Sequence, residues 1–510
     1  MAVIALAIIA GSVYGFTRIA TGFLPIEDQG YMLASVQLPD GASLTRTQKV
    51  LEKVTEIARK TPGVAQVITI AGVSPLESSA PLANAGVAYI ILKDWSERGK
   101  TEDLRSLFLG LNKSLEEIDE ARILVVPPPP IQGIGNAAGV TMQVTLRDGT
   151  FDLQKLQTAM NAMEANAQTQ SRIQKVLAPF RSGAPQYTVE VDRVKTEAVK
   201  LTTDQVFSTL SGYMGSAYVD QFNKFGRTFQ IYAQADAPFR LRLEDVANMT
   251  VRNQDGNNIP LGTLIKITPV IGPSLISLYN LYPTASLVAL PAAGVSTGQL
   301  ITLLEEVAAK TLPPGIGYEW TGMSYQEKIV GGQMFVVFGL AMLLVYLVLA
   351  GQYESWFAPL SVILAVPLSL LGPVSVLTAL KVDNNLYVQI GLVLLIALAA
   401  KNAILIVEVA RELRHQGKAI IEAAVEAARA RFRPILMTSF AFILGVAPLV
   451  FATGAGASAR KSIGITVFTG MLAATCLAVL FVPSFFVVIQ RFEEWLASRR
   501  HKAPSAAPAE

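Results

Sequence analysis

The residue with the most chemical consequence in this 510-residue sequence is Lys401, near the middle of the apolar stretch Tyr387–Ala410, YVQIGLVLLIALAAKNAILIVEVA. One helix of that length crosses a hydrocarbon core of roughly 30 Å. A bare ammonium at mid-membrane costs about 3 kcal/mol on insertion scales, so it has to face protein and meet an anion. No other apolar stretch of the chain offers one, and the only acid in the same stretch, Glu408, lies seven positions on, close to the water interface. The counter-charge is therefore expected from another polypeptide or from a part of the protein outside this sequence. Two chemistries fit: membership of a proton relay, or one side of a fixed structural ion pair. Asn402 points elsewhere on the helix and suits hydrogen bonding between helices. Thr438 and Ser439, in the first turns of the next apolar stretch, carry hydroxyls suited either to backbone bonding or to holding a relay water.

Little else in the chain suggests chemistry. The single cysteine, Cys476, lies in an apolar helix, and with only two histidines, His415 and His501, neither a disulfide framework nor a zinc site is expected. Glu190 and Asp192 share the polar face of a strand with Thr188, while Asp220 and Asp236 are scattered without metal spacing. The glycine-rich Ile131–Gly139 looks like a nucleotide loop, but it lacks the strand–helix frame and the closing lysine, and reads as a loop that must bend. No catalytic residue, metal or cofactor is expected, and the chain reads as no enzyme. Composition agrees: 51% hydrophobic and 16% charged residues, with a mean hydropathy of +0.42, are too apolar for a soluble domain and too charged for an all-membrane one. A net charge of +3 gives no argument for nucleic acid.

The elements that must position these residues fall into two classes. Met1–Phe16 has neither a positive leading region nor a small-residue cleavage site, so it reads as a transmembrane helix (1–16) whose cytoplasmic beginning is absent. From 17 to 330 the pattern is α+β. Its first part predicts strand Met32–Leu38, helix Ser43–Thr61, strands Ala65–Gly72 and Gly86–Asp94, helix Thr101–Ile118 and strand Ile123–Pro127. That βαββαβ order suits a ferredoxin-like split βαβ sheet with both helices on one face. A second start follows as strand Val140–Leu146, helix Leu153–Gln168 and strand Tyr187–Asp192, with its closing half at helix Thr297–Lys310 and strand Gly317–Thr321. An inserted subdomain near 201–292 separates the two. Then come the apolar spans Met334–Ala350, Pro359–Leu380, Tyr387–Ala410, Ile435–Phe451 and Ile463–Ile489, which with the first run make a six-helix membrane bundle. Ten lysines and arginines in 411–433 and 491–502 outweigh Arg460 and Lys461 in setting orientation. Both termini are then cytoplasmic, with an amphipathic connector near 411–433 and a tail at 491–510 that ends in the disordered-type KAPSAAPAE. The large block is outside, the periplasm of a bacterium.

Several stretches together resemble the resistance-nodulation-division efflux transporters, hydrophobe/amphiphile branch. They are GFLPIEDQG (Gly22–Gly30), LKDWSER (Leu92–Arg98), YEWTGMSYQE (Tyr318–Glu327), YESW (Tyr353–Trp356), AKNAILIVE (Ala400–Glu408) and RPILMTSFAFILGVAPL (Arg433–Leu449). The resemblance runs through nearly the whole chain and covers the second half of such a transporter. It implies porter-like subdomains at 17–135 and at 136–200 with 293–330, a docking-like insertion at 201–292, and five further membrane helices in 331–490. It implies a multi-pass protein of the bacterial inner membrane that exchanges protons for hydrophobic and amphiphilic compounds, driven by the proton gradient alone. The implied partners are an N-terminal half carrying an aspartate pair, two further copies in a homotrimer, a periplasmic adaptor, an outer-membrane channel and the lipid bilayer.

Residue roles follow the same resemblance. Lys401 and Thr438 match the proton relay and Arg431 the cytoplasmic mouth of the proton path. Ile68, Ile70, Val73 and Tyr89 match positions lining the deep substrate pocket, and Leu124 and Val126 positions near its entrance; ordinary sheet core is the alternative for all six. Where some family members carry a phenylalanine- and glycine-rich switch loop, this chain has GVSPLESSAP (Gly72–Pro81), without phenylalanine. Two other readings stay beside efflux: a non-transporting membrane assembly or docking protein, and a related exporter of metal ions or lipids. Against metal export, Met142, Met160 and Met163 form no clear thioether set.

Overall fold

Alternating polarity between Tyr31 and Val126 folds into a four-stranded antiparallel sheet, in the spatial order Val64–Ser74, Ala80–Leu92, Tyr31–Gln37, Arg122–Val126. Helices Leu44–Lys60 and Leu104–Leu115 cover one face, burying Val50, Leu51, Val54, Leu107 and Leu111 against Met32, Ala34, Ile90 and Val125. Each helix starts at a side-chain cap: Ser43 accepts the Arg46 N–H and Asp103 that of Ser106. The computed structural model describes residues 1–99, 101–135, 138–331 and 333–501, so KAPSAAPAE lies outside the described residues.

A second sheet is built around Val140–Leu146, flanked by Tyr282–Pro291 and Ile316–Trp320, with Ser277–Tyr279 and Ile173–Leu177 both paired to Tyr282–Pro291. Helices Leu153–Gln168 and Thr297–Thr311 contribute Leu156, Met160, Met163, Leu300 and Leu304 to its core. Met142, Met160 and Met163 are thus fully buried core residues. Two strands here differ from expectation. Ile173–Leu177 was not expected as a strand, and Tyr282–Pro291, placed by sequence inside the insertion, is a central strand of this sheet. Its residues Pro283–Leu290 are all buried, so it shows none of the alternation that marks a half-exposed strand.

The chain divides into two compact units, Met1–Phe180 with Leu275–Glu510, and Arg181–Ser274. The smaller pairs Ala184–Val191 with Ile265–Gly272 and closes a core of Leu201, Val206, Met249, Val251, Leu261 and Leu264. The strand expected to complete the second sheet near Tyr187 therefore belongs to this unit. Here too the hairpin Ala217–Lys224 and Arg227–Ala233 is exposed along its whole length.

Among the described residues, five helical segments are long and apolar enough to cross a membrane: Val336–Tyr353, Ala358–Leu380, Leu386–His415, Ile420–Val450 and Ala457–Leu496. Val3–Arg18 is a shorter apolar helix. Ala358–Leu380 is subdivided at Leu364 and Leu370, near Pro367 and Pro373, which lack the N–H that would continue the helical ladder. The amphipathic connector is not a separate element, because its larger part is continuous with the next span in the 31-residue helix Ile420–Val450. Glycine sets how closely these helices approach: a Cβ on Gly372 would collide with the Thr469 carbonyl, and one on Gly464 would lie 2.8 Å from the backbone of Leu449.

Candidate functional site

Helix Leu386–His415 begins where the Asn385 side chain accepts the N–H groups of Tyr387 and Val388. Its inward stripe includes Leu392, Leu395, Ala399, Asn402, Ala403 and Ile406. At this level Asn402 faces inward, fully buried, and donates to Ser439 Oγ at 3.4 Å. Lys401, one step round the helix, is left on the outer face with Ile390, Val393, Leu394 and Glu408. It has no ion pair among the described residues. Thr438 is likewise exposed, and its hydroxyl donates to the Ile435 carbonyl at 3.2 Å. Arg431, in the same helix, is half-buried, and its Nε has no acceptor among the described residues. The structure therefore brings Asn402 and Ser439 together and leaves Lys401 and Thr438 flanking that pair on outer faces.

These outer faces are strongly apolar. Within the most apolar 18 residues of each helix, only 11% of Val336–Tyr353 and 17% of the stretch in Ile420–Val450 is buried, against 56% of that in Leu386–His415. Leu340, Leu344, Met437, Phe440 and Leu444 all stand exposed. So much contiguous apolar surface marks a lipid or protein interface.

The six pocket positions fall on the first sheet. Ile68 is opposite Tyr89, Ile70 opposite Val87, and Leu33 opposite both Tyr89 and Val126, which puts Ile68, Ile70, Tyr89, Leu124 and Val126 on the face away from the helices. Their surroundings differ. Leu124 and Val126 are 1% exposed, sealed by Leu177, Val288 and Leu290 of the second sheet. Ile68 and Ile70 are 47% and 44% exposed. Tyr89 lies between these extremes, packed on the closed cluster with its ring 6.4 Å from Tyr31. Val73 is half-buried, paired with Pro81 beyond a register shift. A separate cleft of about 840 Å³, with Phe23, Ile26, Phe108, Met323 and Glu327 among its walls, lies within the larger unit.

Sequence reasoning passed over a set of acids at the joints between segments. Glu27 is 7% exposed, and its carboxylate accepts from Ser458 N at 3.1 Å and Ala459 N at 2.6 Å, the first turn of helix Ala457–His501. Asp28 beside it pairs with Arg98 Nη1 at 2.5 Å, and that guanidinium lies 5.5 Å from the Trp95 ring centre. The stretches Gly22–Gly30 and Leu92–Arg98 thus meet in space. The local signal was a pair of acids directly after an apolar Phe-Leu-Pro-Ile run, with arginine and tryptophan three apart elsewhere. Among the described residues no group of histidine, cysteine, aspartate and glutamate is arranged to hold a metal.

Residues 1–490 match the AcrB/AcrD/AcrF family. The chain is 40% identical over 486 residues to the multidrug/solvent efflux pump membrane transporter MepB of Pseudomonas putida, covering 94% of this chain and 46% of the relative. It is 39% identical to the multidrug export protein AcrF of Escherichia coli over 488 residues, 95% of this chain and 47% of AcrF. Escherichia coli multidrug resistance protein MdtF is 39% identical over 493 residues, 96% of this chain and 47% of MdtF. The chain spans about half the length of the curated relatives it matches.

Proposed function

Because this chain belongs to the AcrB/AcrD/AcrF family of resistance-nodulation-division transporters, we propose that it forms half of a proton-driven exporter of hydrophobic and amphiphilic compounds. One observation carries the reading: Lys401 stands without an ion pair among the described residues, on an apolar helix face. A cation there is tolerable in a membrane only if an anion is brought to it. In the proposed pump that anion is a carboxylate of a second set of helices, docked on the outer faces of Leu386–His415 and Ile420–Val450. Protonation of the carboxylate frees the ammonium of its partner, and deprotonation draws it back. Thr438, on the adjoining helix, exchanges its bond to the Ile435 carbonyl for one in the relay, and Arg431 holds the cytoplasmic mouth.

In this reading Val3–Arg18 is a sixth crossing, and the sheets, porter-like with a docking-like insertion, lie in the periplasm. Three copies work with an adaptor and an outer-membrane channel. The open part of the helix-free sheet face, Ile68 and Ile70 with half-buried Tyr89 at its border, receives substrate by burial of apolar area at about 25 cal/mol per Å². The test is Lys401→Ala in the complete pump. Export driven by a pH gradient is expected to disappear while the assembled pump is recovered in normal amount; export retained at the original rate sinks the relay.

A further inference from the structure

Four chain segments converge on one carboxylate that the transport reading does not use. Glu327 lies on helix Gly322–Gly331, and its Oε1 accepts from Thr297 Oγ1 at 2.9 Å, at the start of helix Thr297–Thr311. Gly298 follows, where a Cβ would lie 2.7 Å from the Thr21 carbonyl oxygen and 3.2 Å from Glu327 Oε1. The linker after Arg18 is thus pressed into the same spot. At Gly22 a Cβ would come within 3.5 Å of both Asp383 Oδ2 and Thr297 Oγ1, which adds the loop between Leu371–Leu380 and Leu386–His415. Linker and loop are tied together by Asn384 N to the Ala20 carbonyl at 2.8 Å and Leu386 N to that of Phe23 at 2.9 Å.

No cation among the described residues pairs with Glu327. From its own helix comes Lys328, held by Glu305 of Thr297–Thr311 at 2.8 Å. The linker has no charged residue between Ile19 and Ile26. The loop brings Asp383, a like charge. Water has access, because Glu327 lines both the cleft of about 840 Å³, whose walls also hold Asp28, Asp103 and Arg105, and a second of about 410 Å³.

We propose that Glu327 is a proton-operated latch outside the membrane: carrying a proton it holds the four segments packed, and losing it to cleft water it frees helix Gly322–Gly331 from linker and loop. The charged form is desolvated and faces Asp383, so its formation favours separation of the segments. Burial pushes Glu327 up to about 7, Asp383 adding to the rise and the Thr297 hydroxyl opposing it; burial also raises Asp383. A carboxyl raised in the folded state stabilises fully below its ordinary 4.5, and that contribution is lost as pH rises through about 7. The latch is independent of the transport proposal, since it requires neither a second half nor a substrate.

The experiment is hydrogen exchange on the full chain in lipid nanodiscs from about pH 5 to about pH 8, corrected for the intrinsic pH dependence of exchange. Amides of 322–331 and 19–24 are expected to lose about tenfold or more of their protection as pH rises. Glu327→Gln keeps them protected throughout, and Asp383→Asn lowers the midpoint. Difference infrared spectra of the unmodified chain supply a second readout, a protonated-carboxyl band that disappears over the same range. Protection that does not change with pH in the unmodified chain, or a transition that persists in Glu327→Gln, overturns the proposal.

Discussion

Glu27 shows how one side chain joins distant parts of the chain. Its carboxylate satisfies two backbone donors at the start of a 45-residue helix, where the helix dipole also favours a negative charge. Glu27→Ala leaves both N–H groups without that acceptor and is expected to cost about 1–2 kcal/mol, as for loss of a side-chain cap. Glu27→Gln, which keeps one acceptor oxygen, should cost less. Denaturation midpoints of the detergent-solubilised chain check the order, and equal losses would mean that charge, not hydrogen bonding, dominates. Lys401 is the complementary case. Its type and depth were legible from sequence, but its orientation was not, because which of two adjacent polar residues faces inward depends on the neighbouring helix. Ser439 supplies a partner for Asn402, so Lys401 takes the outer face.

At the scale of elements, the first sheet separates residues that sequence alone grouped together. Leu124 and Ile68 share a face, yet only Leu124 is covered by the second sheet. Leu124→Ala should destabilise the chain by about 2–5 kcal/mol through loss of buried volume. Ile68→Ala should stay within about 0.5 kcal/mol and instead alter dye selectivity in the assembled pump. Thermal unfolding with parallel efflux assays tests the division; comparable destabilisation by both would make Ile68 ordinary core. Helix starts and alternating strands were readable because Ser43, Asp103 and a period of two act locally. Tyr282–Pro291 was not, since burial on both faces removes that alternation.

For the whole molecule, the unequal covering of the apolar helices matters most. Val336–Tyr353 and Ile420–Val450 present long faces that none of the described residues covers, and Lys401 stands on an adjoining face of the same kind. The chain alone in liposomes is accordingly expected to move no dye in response to a pH gradient. Supplying helices with an acidic pair should restore gradient-dependent export. Export by this chain alone would mean that its ammonium is neutralised without a second half, and would end the half-pump reading.

The sequence by itself determined which segments are apolar enough to span, where strands alternate, and that a lysine lies among membrane-type residues. These are properties of windows of about 5–25 residues, set by side-chain period and hydropathy. Only the tertiary structure decided that Glu27 reaches Ser458, 431 positions away, that Thr297, Gly22 and Asp383 gather around Glu327, and that Asn402 rather than Lys401 turns inward. Helix phase and long-range meetings follow from how packed surfaces fit one another, and no local window contains that information.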